Sequence, residues 1–210
     1  MSIKENLDLV EDSSIPSEAK LPTSFGDFQI RVFHEKSTGF DHVALTLGEM
    51  AGPDPILVRV HSECLTGDAF TSLRCDCGPQ LHSALEAISE RGWGCLLYLR
   101  QEGRGIGLHA KIQAYRLQDQ GADTLDANLM LGLPADNRDY KIAASMLESL
   151  KISKVSLLTN NPNKIEQLKE YGIDVVERVS LVVGVGETNR FYLETKADRM
   201  GHSIEKDELE

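Results

Sequence analysis

Between residues 28 and 60 the chain alternates apolar with polar or small side chains. Phe28, Ile30 and Val32 set one such run and Val43, Leu45 and Leu47 a second, and Ile56 to Val60 follows. A period of two is that of a half-buried strand, and Ser37-Thr38-Gly39 and Gly52-Pro53-Asp54 supply turns between the runs. Beyond residue 80 the period changes. Gln80 to Arg91 reads as a helix, with Leu81, Leu85 and Ile88 on one face and Gly92 as its stop. Cys95 to Leu99 is a short apolar strand, and Lys111 to Gln120 a helix ending at Gly121. Asp136 to Leu150 reads as a helix with Tyr140, Ala144, Leu147 and Leu150 along its buried stripe. Val155 to Thr159 is a buried strand, Ile165 to Tyr171 a helix closed by Gly172, and Ile173 to Val176 a last core strand. The pattern predicts an α/β fold: a mixed sheet covered by helices, with a β-rich N-terminal half, in a single domain.

Composition narrows this little: 210 residues with 41% hydrophobic and 26% charged side chains are ordinary for a globular protein. Charge adds more. The net −11 is concentrated at the ends, with −4 over residues 1–18 and −3 over 205–210, leaving −4 for the body. We expect an acidic flexible N-terminal extension at 1–18, one domain at 19–204 and an acidic tail at 205–210. No basic face suits nucleic acid or an anionic membrane, although a few local cations would suffice for a polyanionic small ligand. No apolar run could span a bilayer and MSIKENLDLVEDSS is not a signal peptide, so a cytoplasmic location is expected. Lys206-Asp207-Glu208-Leu209 spells a retention tetrapeptide, but Glu210 follows it.

Three of the four cysteines, Cys64, Cys75 and Cys77, lie in one polar stretch with the spacing C-x10-C-x-C. Clustered thiols in a reducing compartment point to a metal and not to disulfides. Three soft ligands suit Zn2+ and leave a fourth position open, as in catalytic zinc. A structural Cys3His zinc with His61 as fourth ligand, and a chance cluster of free thiols, are the alternatives. Cys95, inside CLLYL, reads as a core residue.

Two polar junctions follow apolar strands, where ligands gather in such sheets. The first is Arg100-Gln101-Glu102-Gly103-Arg104-Gly105-Ile106-Gly107, whose glycines can present backbone amides to an anion beside Arg100 and Arg104. It matches neither the dinucleotide nor the P-loop spacing. The second is Thr159-Asn160-Asn161-Pro162-Asn163-Lys164, with Asn161 as N-cap and Pro162 as first helical residue. Lys164 in a first helical turn opposes the macrodipole unless a phosphate sits there; the alternative is a solvated lysine. Arg138 poses the same problem beside Asp136, itself readable as a helix cap. Glu63 or Glu102 could shuttle protons for a water. His61-Ser62-Glu63 has the H-x-E of nucleobase deaminases, but their P-C-x-x-C half is missing. Tyr115, in mid-helix, reads as core.

Taken together, RVHSECLTGD from Arg59, RCDCG from Arg74, RQEGRGIGL from Arg100, LQDQGADT from Leu117 and LLTNNPNK from Leu157 resemble the GTP cyclohydrolase II family. The resemblance runs from about residue 20 to residue 202. It implies that Cys64, Cys75 and Cys77 hold one zinc. It implies GTP contacts from Arg59, Val60, His61, Ser62 and Glu63, from Gln80, from Glu102, Gly103 and Arg104, and from Thr124, Thr159 and Lys164. Asp136 corresponds to the family's proton acceptor, Arg138 to its proposed nucleophile and Tyr115 to the tyrosine of ring opening.

The implied reaction takes GTP and water to formate, pyrophosphate and a diaminopyrimidinone ribosyl-monophosphate, with Mg2+ on the triphosphate, in a homodimer of the monofunctional type. The acidic extension and tail depart from the family, and the dihydroxybutanone phosphate synthase domain of bifunctional relatives is missing. A guanidinium is essentially always protonated, so we expect Arg138 to stabilise charge at the α-phosphate while water or the metal site attacks. A variant that keeps the formyl group is disfavoured by Tyr115, and a catalytically silent GTP-binding module by the joint presence of Asp136, Arg138 and Tyr115.

Overall fold

The computed structural model describes residues 9–10, 17–50, 55–134 and 136–209. The turn expected at Gly52-Pro53-Asp54 and nearly all of the acidic extension lie outside the described residues. Five strands come first: β1 (Leu9–Val10), β2 (Glu18–Thr23), β3 (Gly26–Glu35), β4 (Asp41–Leu47) and β5 (Ile56–Ser62). Helices α1 (Leu65–Asp68) and α2 (Cys77–Arg91) lead to β6 (Gly94–Leu99). A 3-10 turn at Glu102–Gly105 precedes α3 (Gly107–Gln118), α4 (Thr124–Met130) and α5 (Lys141–Ser149). Then come β7 (Lys154–Leu158), α6 (Pro162–Glu170), β8 (Asp174–Val179), α7 (Arg190–Met200) and a 3-10 turn at Lys206–Leu209.

All eight strands share one sheet in the order β1-β3-β4-β6-β5-β7-β8, with β2 also on β3. The half from β1 to β4 is antiparallel, and β4 pairs antiparallel with β6, Val43 opposite Tyr98. From β6 through β5 and β7 to β8 every pairing is parallel. This is the mixed, helix-covered sheet that the periodicity predicts.

The alternation of side chains builds a core on each face. On one, Val58 and Val60 of β5, Cys95, Leu97 and Leu99 of β6 and Leu157 of β7 pack with Ala144 and Leu147 of α5 and Leu168 of α6. On the other, Leu57 and Leu96 meet Phe28 and the Ala84, Leu85 and Ile88 face of α2. Such parallel strands are covered on both sides, which is why β5 and β6 read as nearly continuous apolar runs. Each fully buried Leu or Ile contributes about 1.5–3 kcal/mol. Cys95 is a core residue as expected, and burial pushes its thiol up to about 12.

The helix expected from Asp136 begins instead at Lys141. The preceding residues form turns of their own: Asp136 accepts from the Arg138 amide (3.0 Å) and Asp139 from the Lys141 amide (2.7 Å). Neither Asp136 as a helix cap nor Arg138 as a cation in a first helical turn therefore holds. Helix α3 starts four residues earlier than its apolar stripe suggests, and β1, β2, α1, α4 and α7 are additional. The acidic tail turns back on itself and buries Leu209. Among the described residues no helix is long and apolar enough to cross a membrane.

Candidate active site

Strands β5, β6 and β7 run parallel, so their C-terminal ends open on the same side of the sheet. The cleft there has an empty volume of about 1150 Å³, its open mouth included. The chain leaving β5 brings in Cys64, α1 turns it back, and Cys75 and Cys77 arrive at the start of α2. Their sulfurs lie within 4.8 Å of one another, with 3.7 Å between Cys64 Sγ and Cys75 Sγ. Gly67 makes the convergence possible, since a Cβ there would stand 2.8 Å from Cys75 Sγ and 3.2 Å from Cys64 Sγ.

The Cys75 and Cys77 thiols and the Lys111 ammonium hold the Cys64 thiol well below its ordinary range. That thiolate in turn pushes Cys75 up to about 11. Three convergent sulfurs beside a lysine ammonium are a donor set suited to a borderline-soft metal. His61 is no fourth ligand. Its Nε2 lies 3.0 and 3.1 Å from the two Asp68 carboxylate oxygens, so the Cys3His alternative fails.

Beside the thiols stand Lys111 and Tyr115, one helical turn apart on α3. Lys111 Nζ donates to Cys64 Sγ (3.1 Å) and to Glu102 Oε1 (2.8 Å). Glu102 also accepts from the Leu65 and Gly103 amides, both at 2.7 Å. Tyr115 is half-buried and faces the cleft, its hydroxyl 3.3 Å from Thr66 Oγ1, so it is not a core residue. Burial raises its phenol to about 12.

The opposite wall is cationic. Arg59 on β5 donates to the Leu158 carbonyl (3.0 Å) and to Gln80 Oε1 (2.6 Å), while its buried Nε has no partner. Lys164 is buried and donates to the Val60 carbonyl (2.7 Å), so the solvated-lysine alternative is overturned. Burial, then Arg59 and Arg138, depress its ammonium. Asn161 caps α6 as expected by accepting from the Asn163 amide. Arg104 adopts the left-handed backbone (φ 60°), rare for a side chain with a Cβ, and its buried Nη1 is unpartnered. Arg138 donates Nε and Nη2 to the two oxygens of Asp136. Burial opposes ionisation of that carboxyl, but Arg138 outweighs it and holds the group below the usual range.

Most of the expected site residues thus line one cleft: Arg59, His61, Ser62, Glu63, Gln80, Glu102, Gly103, Arg104, Tyr115, Thr124, Arg138, Thr159 and Lys164, together with the three thiols. Val60 enters only through its carbonyl and Asp136 only through Arg138. Arg59, Arg104 and Lys164 form no ion pair with any carboxylate among the described residues. Sequence reasoning missed Lys111, Tyr192, His202 and the buried pair of Lys196 with Asp76, 2.7 Å apart. Lys111 alone left a signal, a cation one turn before Tyr115; the others sit in a polar stretch without period.

A family model described as GTP cyclohydrolase II matches residues 14–180. GTP cyclohydrolase-2 of Acinetobacter baumannii (strain SDF) is 60% identical over 192 residues, 91% of this chain and 96% of its own. The protein of that name from Proteus mirabilis (strain HI4320) is 60% identical over 90% of this chain and 96% of its own. That of Escherichia coli O9:H4 (strain HS) is 58% identical over 90% and 97%. A solved two-domain 3,4-dihydroxy-2-butanone 4-phosphate synthase from A. baumannii aligns over 75% of this chain and 36% of its own. Its 15% identity and TM-score of 0.39 are too low to bear on fold or activity. With the family's strings lying in one cleft and these matches covering most of its length, the chain belongs to the GTP cyclohydrolase II family.

Proposed function

We propose that this protein hydrolyses GTP, opening the guanine imidazole ring to release formate and pyrophosphate. The remaining product is 2,5-diamino-6-(5-phosphoribosylamino)pyrimidin-4(3H)-one, in the first step of riboflavin biosynthesis. One observation carries the reading: three convergent thiols share a cleft with the buried Arg59 and Lys164 and the half-buried Arg104, basic side chains that form no ion pair with a carboxylate among the described residues. Burial and the neighbouring cations depress the Lys164 ammonium, and a bound polyanion would relieve that repulsion.

The triphosphate takes the cationic wall together with Mg2+, and the base lies toward the thiols. Cys64, Cys75 and Cys77 would hold Zn2+, which supplies Lewis acidity at the ring carbon between the two nitrogens. Lys111 keeps Cys64 ionised and fixes Glu102 at the same time. Tyr115, protonated at neutral pH, can give a proton to a ring nitrogen as water adds to that carbon and the carbon–nitrogen bond breaks.

At the other end Asp136 is ionised and can accept the proton of the water that attacks the α-phosphorus. The double contact to Asp136 supports Arg138 as a fixed cation that stabilises charge on the α-phosphate, not as a nucleophile. The location is read as cytoplasmic and the assembly as a homodimer.

The test is to incubate zinc-replete protein with GTP and Mg2+ and count products. One formate and one pyrophosphate per GTP is expected. Pyrophosphate without formate would confine the activity to the phosphate end, and bound GTP with neither product would make the protein a silent binding module.

A further inference from the structure

The family model's match ends at residue 180, and one side of the cleft is built by chain after that residue. Helix α7 is fastened at two places. Lys196 Nζ donates to Asp76 Oδ1 (2.7 Å), and Arg199 donates to Asp123 and Asp126 at the start of α4. Gly201, in the left-handed conformation (φ 67°), turns the chain out of the helix. The His202 amide then donates to the Lys196 carbonyl (3.1 Å) and the Ser203 amide to the Asn160 carbonyl (2.8 Å). His202 is thereby pinned between the end of α7 and the loop after β7, with its ring lining the cleft.

Four basic side chains from four parts of the fold line the same cleft as this ring and act on it electrostatically: Lys196 from α7, Arg104 from the 3-10 turn, Lys164 from α6 and Arg138 from the loop before α5. Asp76 is engaged by Lys196 and Asp136 by Arg138. Burial and these cations hold the imidazole down to about 3, so it is neutral at physiological pH and keeps one N–H to donate. No side-chain hydrogen bond to that ring exists among the described residues, and an anionic oxygen lying among these basic side chains would satisfy it.

We propose that His202 is a further triphosphate-binding residue, its ring N–H donating to a phosphate oxygen. The inference rests on the GTP reading above and adds to that site a residue from the segment that follows α7. A bound triphosphate also removes the repulsion that disfavours the protonated ring, so the contact should strengthen as pH falls from 8 to 6.

Titration of the full-length, zinc-replete protein with inorganic tripolyphosphate, and separately with guanosine, tests this in wild type, His202→Ala and His202→Gln. Charge-assisted hydrogen bonds of this kind set the scale. His202→Ala should weaken tripolyphosphate about tenfold or more, leave guanosine within about twofold, and raise the KM for GTP in step. His202→Gln, which keeps an N–H donor, should recover much of the loss. Wild type should also gain tripolyphosphate affinity over His202→Ala between pH 8 and pH 6. Equal tripolyphosphate affinity in wild type and His202→Ala, equal weakening of guanosine, or no tripolyphosphate binding by wild type would each overturn the assignment. Formate release from GTP by wild type is followed in parallel. Its absence sinks the GTP reading, whereas formate release with unaltered tripolyphosphate binding in His202→Ala sinks only the role of His202.

Discussion

Asp136 and Arg138 show how two side chains in one short loop can be set for opposite tasks. The pair makes two side-chain contacts and a backbone one, largely out of solvent. Asp136→Asn should lower pyrophosphate release by about 100-fold or more while formate release falls less, because the base acts only at the phosphate end. Rapid-quench mass spectrometry should trap no phosphoguanidine adduct at Arg138 in either protein; such an adduct would restore the nucleophile role. The pair also links stability to pH. The folded carboxyl titrates below its unfolded value of about 3.9, so its contribution is present above that pH and is lost as pH falls through the folded value. Denaturant titrations should show wild type about 1–2 kcal/mol more stable than Asp136→Asn at pH 7, with the difference fading as pH falls below the unfolded value of about 3.9. Arg104 makes the complementary case, a strained and uncompensated cation. Arg104→Gly should leave the melting temperature equal or higher while the KM for GTP rises at least about tenfold.

At the scale of elements, what was legible is what carries period. Strands β3 to β8 and helices α2, α5 and α6 bury apolar side chains against a sheet face, and their residues announced it, whereas α3 buries only Lys111 and Ala114. Strand β2 escaped because EAKLPT is an exposed edge with Pro22, whose side chains pack on little. Helices α4 and α7 escaped because they dock through polar contacts: Asp123 caps α4, and Arg199 and Lys196 hold α7. The site was legible for the thiols and the two junctions, since soft ligands and misplaced cations are chemical oddities whatever the fold. It was illegible at Lys196 and His202, which become site residues only when α7 folds back on the α4 and Asp76 region. Helices α1 and α2 supply the sharpest test. Gly67→Ala keeps every ligand but puts a methyl 2.8 Å from Cys75 Sγ and 2.9 Å from Cys77 Cβ. Metal content by mass spectrometry should fall well below one zinc per chain, with far-UV circular dichroism unchanged.

For the whole molecule, the two cores lie within the sheet and its covering helices, and the thiols lie at the strand ends beyond them. Removing metal with a chelator should therefore lower the melting temperature by several degrees and abolish formate release, without unfolding the chain. A protein that unfolds outright on chelation would make the metal part of the fold. The spacing of contacts along the chain also fixes a sequence of events. Cys64 and Cys75 are 11 residues apart, so a local turn can bring them together. Arg59 and Leu158 are 99 apart, Lys164 and Val60 are 104 apart, and Lys196 and Asp76 are 120 apart. Closing loops of that length is slow. A refolding chain is thus able to capture its metal early, as a nascent hairpin of thiols, and acquires a place for its nucleotide only when the distant segments arrive.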